Sequence, residues 1–118
     1  MLKEIKTKFL HYFVDEHNLR QGEFKSYHEN GQKFIHTFCQ NDKCHGEYKT
    51  YHWNGQLYIH SFYINDKCHG EYTVYHENGK LYRATLYYQG TDLEVNPESL
   101  TEKDKVYIMM SGRLPQRD

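Results

Sequence analysis

The chain has 118 residues, of which 37% are hydrophobic and 16% aromatic, and 15 Lys and Arg stand against 16 Asp and Glu for a formal charge of -1. That length fits one modest module without a large enclosed core, and the aromatic content excludes a disordered chain. Charge this close to neutral excludes a global field that draws the protein to nucleic acid or anionic lipid.

The opening Met1-Leu2-Lys3-Glu4-Ile5-Lys6 is charged, unlike a secretory leader. No apolar run approaches the roughly 20 residues of a membrane span. Together with an odd number of cysteines, these features predict a soluble, intracellular, cytoplasmic protein. A first strand is expected near 4–14, part of a degenerate half repeat over 4–21, because His11-Tyr12-Phe13 echoes His36-Thr37-Phe38.

From Gly22 onward one unit repeats. Gly22-Glu23-Phe24, Gly46-Glu47-Tyr48 and Gly70-Glu71-Tyr72 recur at intervals of 24 residues. Tyr27, Tyr51 and Tyr75 keep the same interval, as do His28, His52 and His76 and the pairs Asn30-Gly31, Asn54-Gly55 and Asn78-Gly79. Such self-similarity marks stacked supersecondary units, each too small to bury its own surface. Asn-Gly between alternating aromatic runs predicts a type I′ hairpin turn with positive φ at both residues. Asn41-Asp42 and Asn65-Asp66 supply the turns that join repeats near 22–45, 46–69 and 70–92. Strands are predicted near 22–29, 32–40, 46–53, 56–64, 70–77 and 80–88.

Alternation along these strands divides the side chains between two faces. Phe24, Tyr48, Tyr72, Ile35, Ile59, Leu57, Val74 and Tyr63 share one, while Tyr27, Tyr51, Tyr75, Phe34, Tyr58, Phe38 and Phe62 share the other with Glu47, Lys49, Glu71 and several His. This register sets Tyr63 opposite Gly46 and Tyr87 opposite Gly70, so each ring is expected to lie over bare backbone. The pattern stops after Gly90. Asn96-Pro97-Glu98-Ser99 predicts a helix start, with a short helix over 100–111 ending at Gly112 and a loose tail from Arg113 to Asp118. The helix is expected to dock on the sheet as a cap for the stack's terminal edge.

The fold predicted is mainly β: a single-layer antiparallel β-meander of about seven strands, built from three 24-residue hairpin repeats over 1–92, with a C-terminal capping helix and tail over 93–118.

The unit Gly-Glu-Tyr-x-x-Tyr-x-x-Asn-Gly, followed by Asn-Asp-Lys-x-His-Gly, resembles MORN-type repeats, the membrane occupation and recognition nexus class, over residues 22–90. It is most similar to the tyrosine-rich Tyr-x-x-Asn-Gly variant of bacterial antitoxin-like proteins and of large DNA viruses of amoebae. The resemblance implies an elongated antiparallel sheet used for scaffolding, dimerisation or partner binding rather than catalysis. Lipid binding is implied for some members. Asn-Asp in place of the Asn-Gly often seen between repeats is a departure from the family pattern.

The residues that carry chemistry recur with the fold. Cys44-His45 and Cys68-His69 make a recognised zinc set by type, but adjacent strand residues point to opposite faces, so they are expected to be turn residues. Neither a metal nor another cofactor is predicted. Cys39 and Cys44 are expected to face one another across the Asn41-Asp42 turn. A cross-strand disulfide fits that geometry, and two reduced thiols are the expectation in a cytosol. His36 is placed between Lys25 and Glu47, and His60 between Lys49 and Glu71, as a charge ladder rather than an acid-base pair, because a catalytic constellation occurs once. No catalytic residue is therefore assigned, and the chain is not expected to be an enzyme.

The candidate interaction surface comprises Tyr27, Tyr51, Tyr75, Phe34, Tyr58, Tyr82, His36, His60 and Trp53. It predicts a scaffolding or protein-interaction module that pairs with its own copy, since a single-layer sheet leaves an aromatic face poorly covered. One alternative, carried by the resemblance, is an antitoxin-like regulator that neutralises a cognate toxin. The other is binding of lipid or nucleic acid through the Tyr and His face, against which stands the lack of a Lys and Arg cluster.

Overall fold

The computed structural model describes residues 1–116. Among them are ten strands: β1 (Lys3–Lys6), β2 (Leu10–Val14), β3 (Gly22–Tyr27), β4 (Lys33–Gln40), β5 (Lys43–Tyr51), β6 (Leu57–Ile64), β7 (Lys67–Cys68), β8 (Gly70–Tyr75), β9 (Leu81–Tyr88) and β10 (Thr91–Asp92). They form one antiparallel sheet in sequence order, with β7 pairing β6 beside β8. The molecule measures 55 × 36 × 18 Å, the thickness of a single layer with its side chains and one docked helix.

The strand count exceeds seven partly because the segment near 4–14 is a short hairpin. Thr7 N–H donates to the Leu10 carbonyl at 2.8 Å, so the chain turns at Lys8-Phe9 and pairs β1 with β2.

The type I′ turns are those between repeats, and the Asn-Gly turns depart from expectation. Asn41 and Asp42 have φ of 51° and 71°, and Asn65 and Asp66 have 48° and 70°, the paired positive values of a type I′ turn. In the Asn30-Gly31 turn only Gly31, at φ 88°, is left-handed. His28 N–H donates to the Gln32 carbonyl and Gly31 N–H to the His28 carbonyl, which makes a three-residue loop over Glu29-Asn30-Gly31. Asn30 stays right-handed, where its Oδ1 accepts the Gln32 N–H at 2.9 Å. The extra loop residue shifts the pairing by one, from Ser26 opposite Ile35 to Tyr27 opposite Lys33. Phe34 is the bulged residue, and Tyr58 and Tyr82 repeat it.

Within each hairpin the expected register holds. Lys25 faces His36, Gly46 faces Tyr63, Lys49 faces His60 and Gly70 faces Tyr87. Between hairpins it slips by two. Cys39 faces Cys44, yet Thr37 faces Tyr48, so three residues of β5, His45-Gly46-Glu47, span one residue of β4. His36 therefore meets Lys49 rather than Glu47, and His60 meets Thr73 rather than Glu71. Gly46 makes the slip feasible: its φ of 116° is one that side-chain-bearing residues rarely adopt. A β-carbon placed on Gly46 would stand 3.8 Å from Phe38 Cβ and 3.9 Å from the Phe38 ring, so Phe38 flanks the glycine on that side.

One face alternates large and small. Register and pleat align Phe24, Thr37, Tyr48 and Ser61 in one row, with Tyr72 and Thr85 paired further along it. Rings close over the small residues, leaving Thr37 and Thr85 at 2% exposure and Ser61 at 0%. Tyr48 and Tyr63 pack with ring centroids 5.1 Å apart, and Tyr72 and Tyr87 at 5.4 Å. This row is the core of the sheet, built without a second layer.

The C-terminal segment leaves the sheet after β10. Asn96 starts not the helix but a 3-10 turn over Pro97–Ser99, its Oδ1 accepting the Glu98 N–H. The helix α1 (Glu102–Ser111) begins at Thr101, whose side chain and that of Asp104 form a reciprocal capping box, and it ends at left-handed Gly112. It docks on the sheet face that carries Glu71, with Lys105 Nζ 2.8 Å from that carboxylate, and Ile108 is fully buried. The edge of β9 is covered separately, and only from Leu86 to Tyr88. Thr91 and Asp92 pair Tyr88 and Tyr87, and Leu93 N–H donates to the Leu86 carbonyl. Residues 113–116 of the predicted tail have no regular structure, and Arg117 and Asp118 lie outside the described residues.

Candidate interaction surface

Pleating sends Glu23, Lys25, His36, Phe38, Glu47, Lys49, His60 and Phe62 to the face opposite the tyrosine row. His36 Nε2 lies 2.8 Å from Glu23 Oε2 and His60 Nε2 2.7 Å from Glu47 Oε2. Lys25 and Lys49 approach the same two carboxylates at 3.5 and 3.7 Å. The histidine bond, then the lysine charge, hold both carboxyls below their ordinary value of 4.5. His11 and Glu4 repeat the pair in the first hairpin at 2.7 Å. These imidazoles are spent on a structural ladder along the sheet.

The other sequence-predicted residues gather at the Asn-Gly ends. Phe34, Tyr58 and Tyr82, the bulged residues, pack against His28, His52 and His76 at centroid distances of 4.5, 4.2 and 4.9 Å, the first two tilted and the third edge-on. Phe34 is 40% exposed, Tyr58 39%, Tyr82 66% and Trp53 61%. Tyr27, Tyr51 and Tyr75 are half-buried beside them, with the Lys33 ammonium 5.6 Å from the Tyr51 ring centroid. Phe38 and Phe62, 38% and 37% exposed, extend the same aromatic surface along the sheet. Helix α1 reaches that face at Glu71 and Tyr88, in the third repeat.

Sequence reasoning missed the bonds that tie one repeat to the next. At the Asn-Gly ends, His28 Nε2 donates to the Tyr51 carbonyl and His52 Nε2 to the Tyr75 carbonyl, both at 2.8 Å. Asn30 Nδ2 donates to the Trp53 carbonyl at 2.7 Å and Asn54 Nδ2 to the Glu77 carbonyl at 3.0 Å. At the opposite ends, Arg20 Nε donates to Asp42 Oδ1 at 2.6 Å and Cys44 N–H to Asp66 Oδ1 at 2.7 Å. His45 Nδ1 accepts the Asn65 N–H and His69 Nδ1 the Gln89 N–H. The His, Asn and Asp residues of these bonds recur at 24-residue intervals, but the recurrence does not reveal their backbone partners.

These bonds account for the recurrence of histidine and asparagine in each unit. The repeats match the family described as MORN repeat variant over residues 20–38, 45–65 and 69–89. The chain belongs to this MORN repeat variant family. No curated protein and no solved structure gives a significant match.

In this MORN protein Cys39 and Cys44 are cross-strand partners, and both are free thiols, as is Cys68. Burial pushes all three thiols up from their ordinary value. Burial also raises the Tyr48 and Tyr72 phenols and takes Tyr63 up to about 12, so the tyrosine row stays neutral and packed. No helix among the described residues is long and apolar enough to cross a membrane.

Proposed function

We propose that this MORN repeat protein is a non-catalytic scaffolding module that binds protein, and that it pairs with its own copy through the exposed aromatic face of its first two full repeats. One observation carries the reading. The histidines and glutamates of that face are consumed in mutual hydrogen bonds, while Phe34, Phe38, Tyr58 and Phe62 stay 37–40% exposed. Aromatic rings framed by paired charges suit a protein interface, since rigid rings supply contact area at low entropic cost.

Light scattering at micromolar concentration tests self-association. The expected species has twice the 14.3 kDa mass of the chain. Replacing Phe38 and Phe62 together by Glu returns it to a monomer with an unchanged far-UV spectrum. A wild-type protein of single-chain mass at every concentration removes the homodimer.

A further inference from the structure

The inter-repeat bonds have a donor set and an acceptor set, and the third repeat retains donors whose acceptors are missing. His28 and Asn30 grip the carbonyls of Tyr51 and Trp53, two residues apart on the next repeat. His52 and Asn54 grip those of Tyr75 and Glu77. His76 and Asn78 stand at the equivalent places. Their turn is the same, since Asn78 Oδ1 accepts the Lys80 N–H at 3.0 Å and His76 N–H donates to the Lys80 carbonyl, while the His76 ring meets Tyr82 edge-on at 77° instead of tilted as in the earlier repeats. Among the described residues, however, neither His76 Nε2 nor Asn78 Nδ2 has an acceptor.

Exposure tells the same story. His28 and His52 are half-buried whereas His76 is exposed, and Tyr82 is 66% exposed against 40% and 39% for Phe34 and Tyr58. An open depression lined by His52, Tyr58, Tyr75, His76, Asn78 and Tyr82 lies there. The adjoining edge of β9 carries no strand at Arg83 and Ala84, and Glu94, Val95 and Asn96 line a shallow depression beside it. In the earlier repeats the strand that supplies the carbonyls also pairs the preceding hairpin, Thr50 to Ile35 and Val74 to Ile59. The counterpart on β9 is Arg83, and β10 reaches only Tyr87 and Tyr88.

The geometry points to a docking site for an extended strand of another protein, added antiparallel to the Arg83–Ala84 edge of β9 with two alternate carbonyls bonded by His76 and Asn78. This rests on the interaction-module reading above and is independent of self-association. The inter-repeat interface, formed twice within the chain, specifies the occupant: five residues with the positions of Thr73-Val74-Tyr75-His76-Glu77, aromatic at the third, and using the third and fifth carbonyls. At the second position the facing residue is Arg83 rather than isoleucine, and its guanidinium already holds Asp92 at 2.9 Å, so its aliphatic stem is what meets the second side chain. Strand addition of this kind draws affinity from main-chain bonds and specificity from alternate side chains.

The folded chain cannot itself fill the site. Its β1 edge turns away at Lys8-Phe9, before a second carbonyl can be presented. Two β9 edges cannot pair around a two-fold axis either, because the incoming strand would need the side of Leu86–Tyr88 that Thr91–Leu93 occupies.

The test uses the intact protein and a synthetic peptide of residues 70–77, Gly-Glu-Tyr-Thr-Val-Tyr-His-Glu. Expected are saturable binding by calorimetry and slowed amide exchange at Ala84, whose N–H faces the open side of β9 as the Leu86 carbonyl does. His76→Phe keeps the ring contact with Tyr82, and Asn78→Asp keeps the bond to Lys80. Together they remove both donors and weaken binding about tenfold or more. Absence of saturable binding up to about 1 mM overturns the proposal. So does binding that both variants leave unchanged, or that slows exchange on the Phe38 and Phe62 face instead. A protein that binds peptide as a monomer retains this site while losing the homodimer.

Discussion

Ser61 is fully buried opposite Tyr48, its cross-strand partner, and its Oγ donates to the Tyr48 carbonyl at 3.4 Å. The small residue is what lets neighbouring rings close over the sheet. Ser61→Leu is therefore expected to cost about 1–3 kcal/mol by overpacking. Ser61→Ala, which keeps the space and gives up a long hydrogen bond, is expected to cost no more than about 1 kcal/mol. Urea unfolding of the two variants measures the difference, and an equal loss in both would refute a steric role.

Gly46→Ala separates backbone strain from crowding. A methyl group there meets Phe38 Cβ at an ordinary 3.8 Å, so space is available, but φ is 116°. Strain alone is expected to cost about 1–3 kcal/mol. Chemical denaturation checks this.

The histidines of the Asn-Gly ends differ by position, not by type. Removing His28 or His52 leaves the carbonyl of Tyr51 or Tyr75 without its inter-repeat donor, at an expected cost of about 1 kcal/mol each. His76→Ala breaks no such bond and should stay within about 0.5 kcal/mol of wild type. Three equal losses in urea would show that the ring packing, and not the hydrogen bond, is what matters.

The 24-residue period makes the hairpins, the strand alternation and the register inside each hairpin legible, because Gly, Tyr and Asn-Gly recur in phase. What it hides is local backbone choice. Asn-Gly is compatible with both a two-residue and a three-residue loop, and the Oδ1 bond from Asn30 to Gln32 selects the latter. The two-residue slip at His45-Gly46-Glu47 depends on one φ value that glycine permits but does not announce. Thr7 to Leu10 turns without Gly or Asn, so the first hairpin reads as one strand. Thr101 and Asp104 form a readable capping box, but Asn96 before proline is the stronger helix-start signal in the sequence. The interaction surface is legible as residue types, whereas its inter-repeat donors are not, since their acceptors are backbone carbonyls.

Acid should destabilise the sheet. Glu23 and Glu47 are held below 4.5 chiefly by bonds from His36 and His60, and Asp42 and Asp92 below 3.8 by bonds from Arg20 and Thr85. Each carboxyl binds a proton less readily folded than unfolded, so its contribution is complete above the ordinary value and fades as pH falls through the lower folded value. The thermal midpoint is expected to hold down to about pH 5 and to fall between about pH 4.5 and pH 3. Glu47→Gln should flatten that fall. A midpoint independent of pH in this range would rule the ladder out as a source of stability.

Thiol chemistry offers a check on the sheet's closed side. Cys39 and Cys68 are 7% and 8% exposed, and burial raises both, along with Cys44, above the ordinary thiol value. A raised value leaves less thiolate at neutral pH, and the thiolate is the species that attacks a disulfide reagent. Protein purified under reducing conditions should therefore titrate three thiols in denaturant, and in the native state at pH 8 react about tenfold or more slowly. Cys44, the most accessible of the three, should react first. The register that sets it opposite Cys39 makes modification there disruptive: a bulky adduct should speed the reaction of Cys39. Independent, equally fast reaction of all three in the native protein would contradict the packing of the β4 and β5 strands.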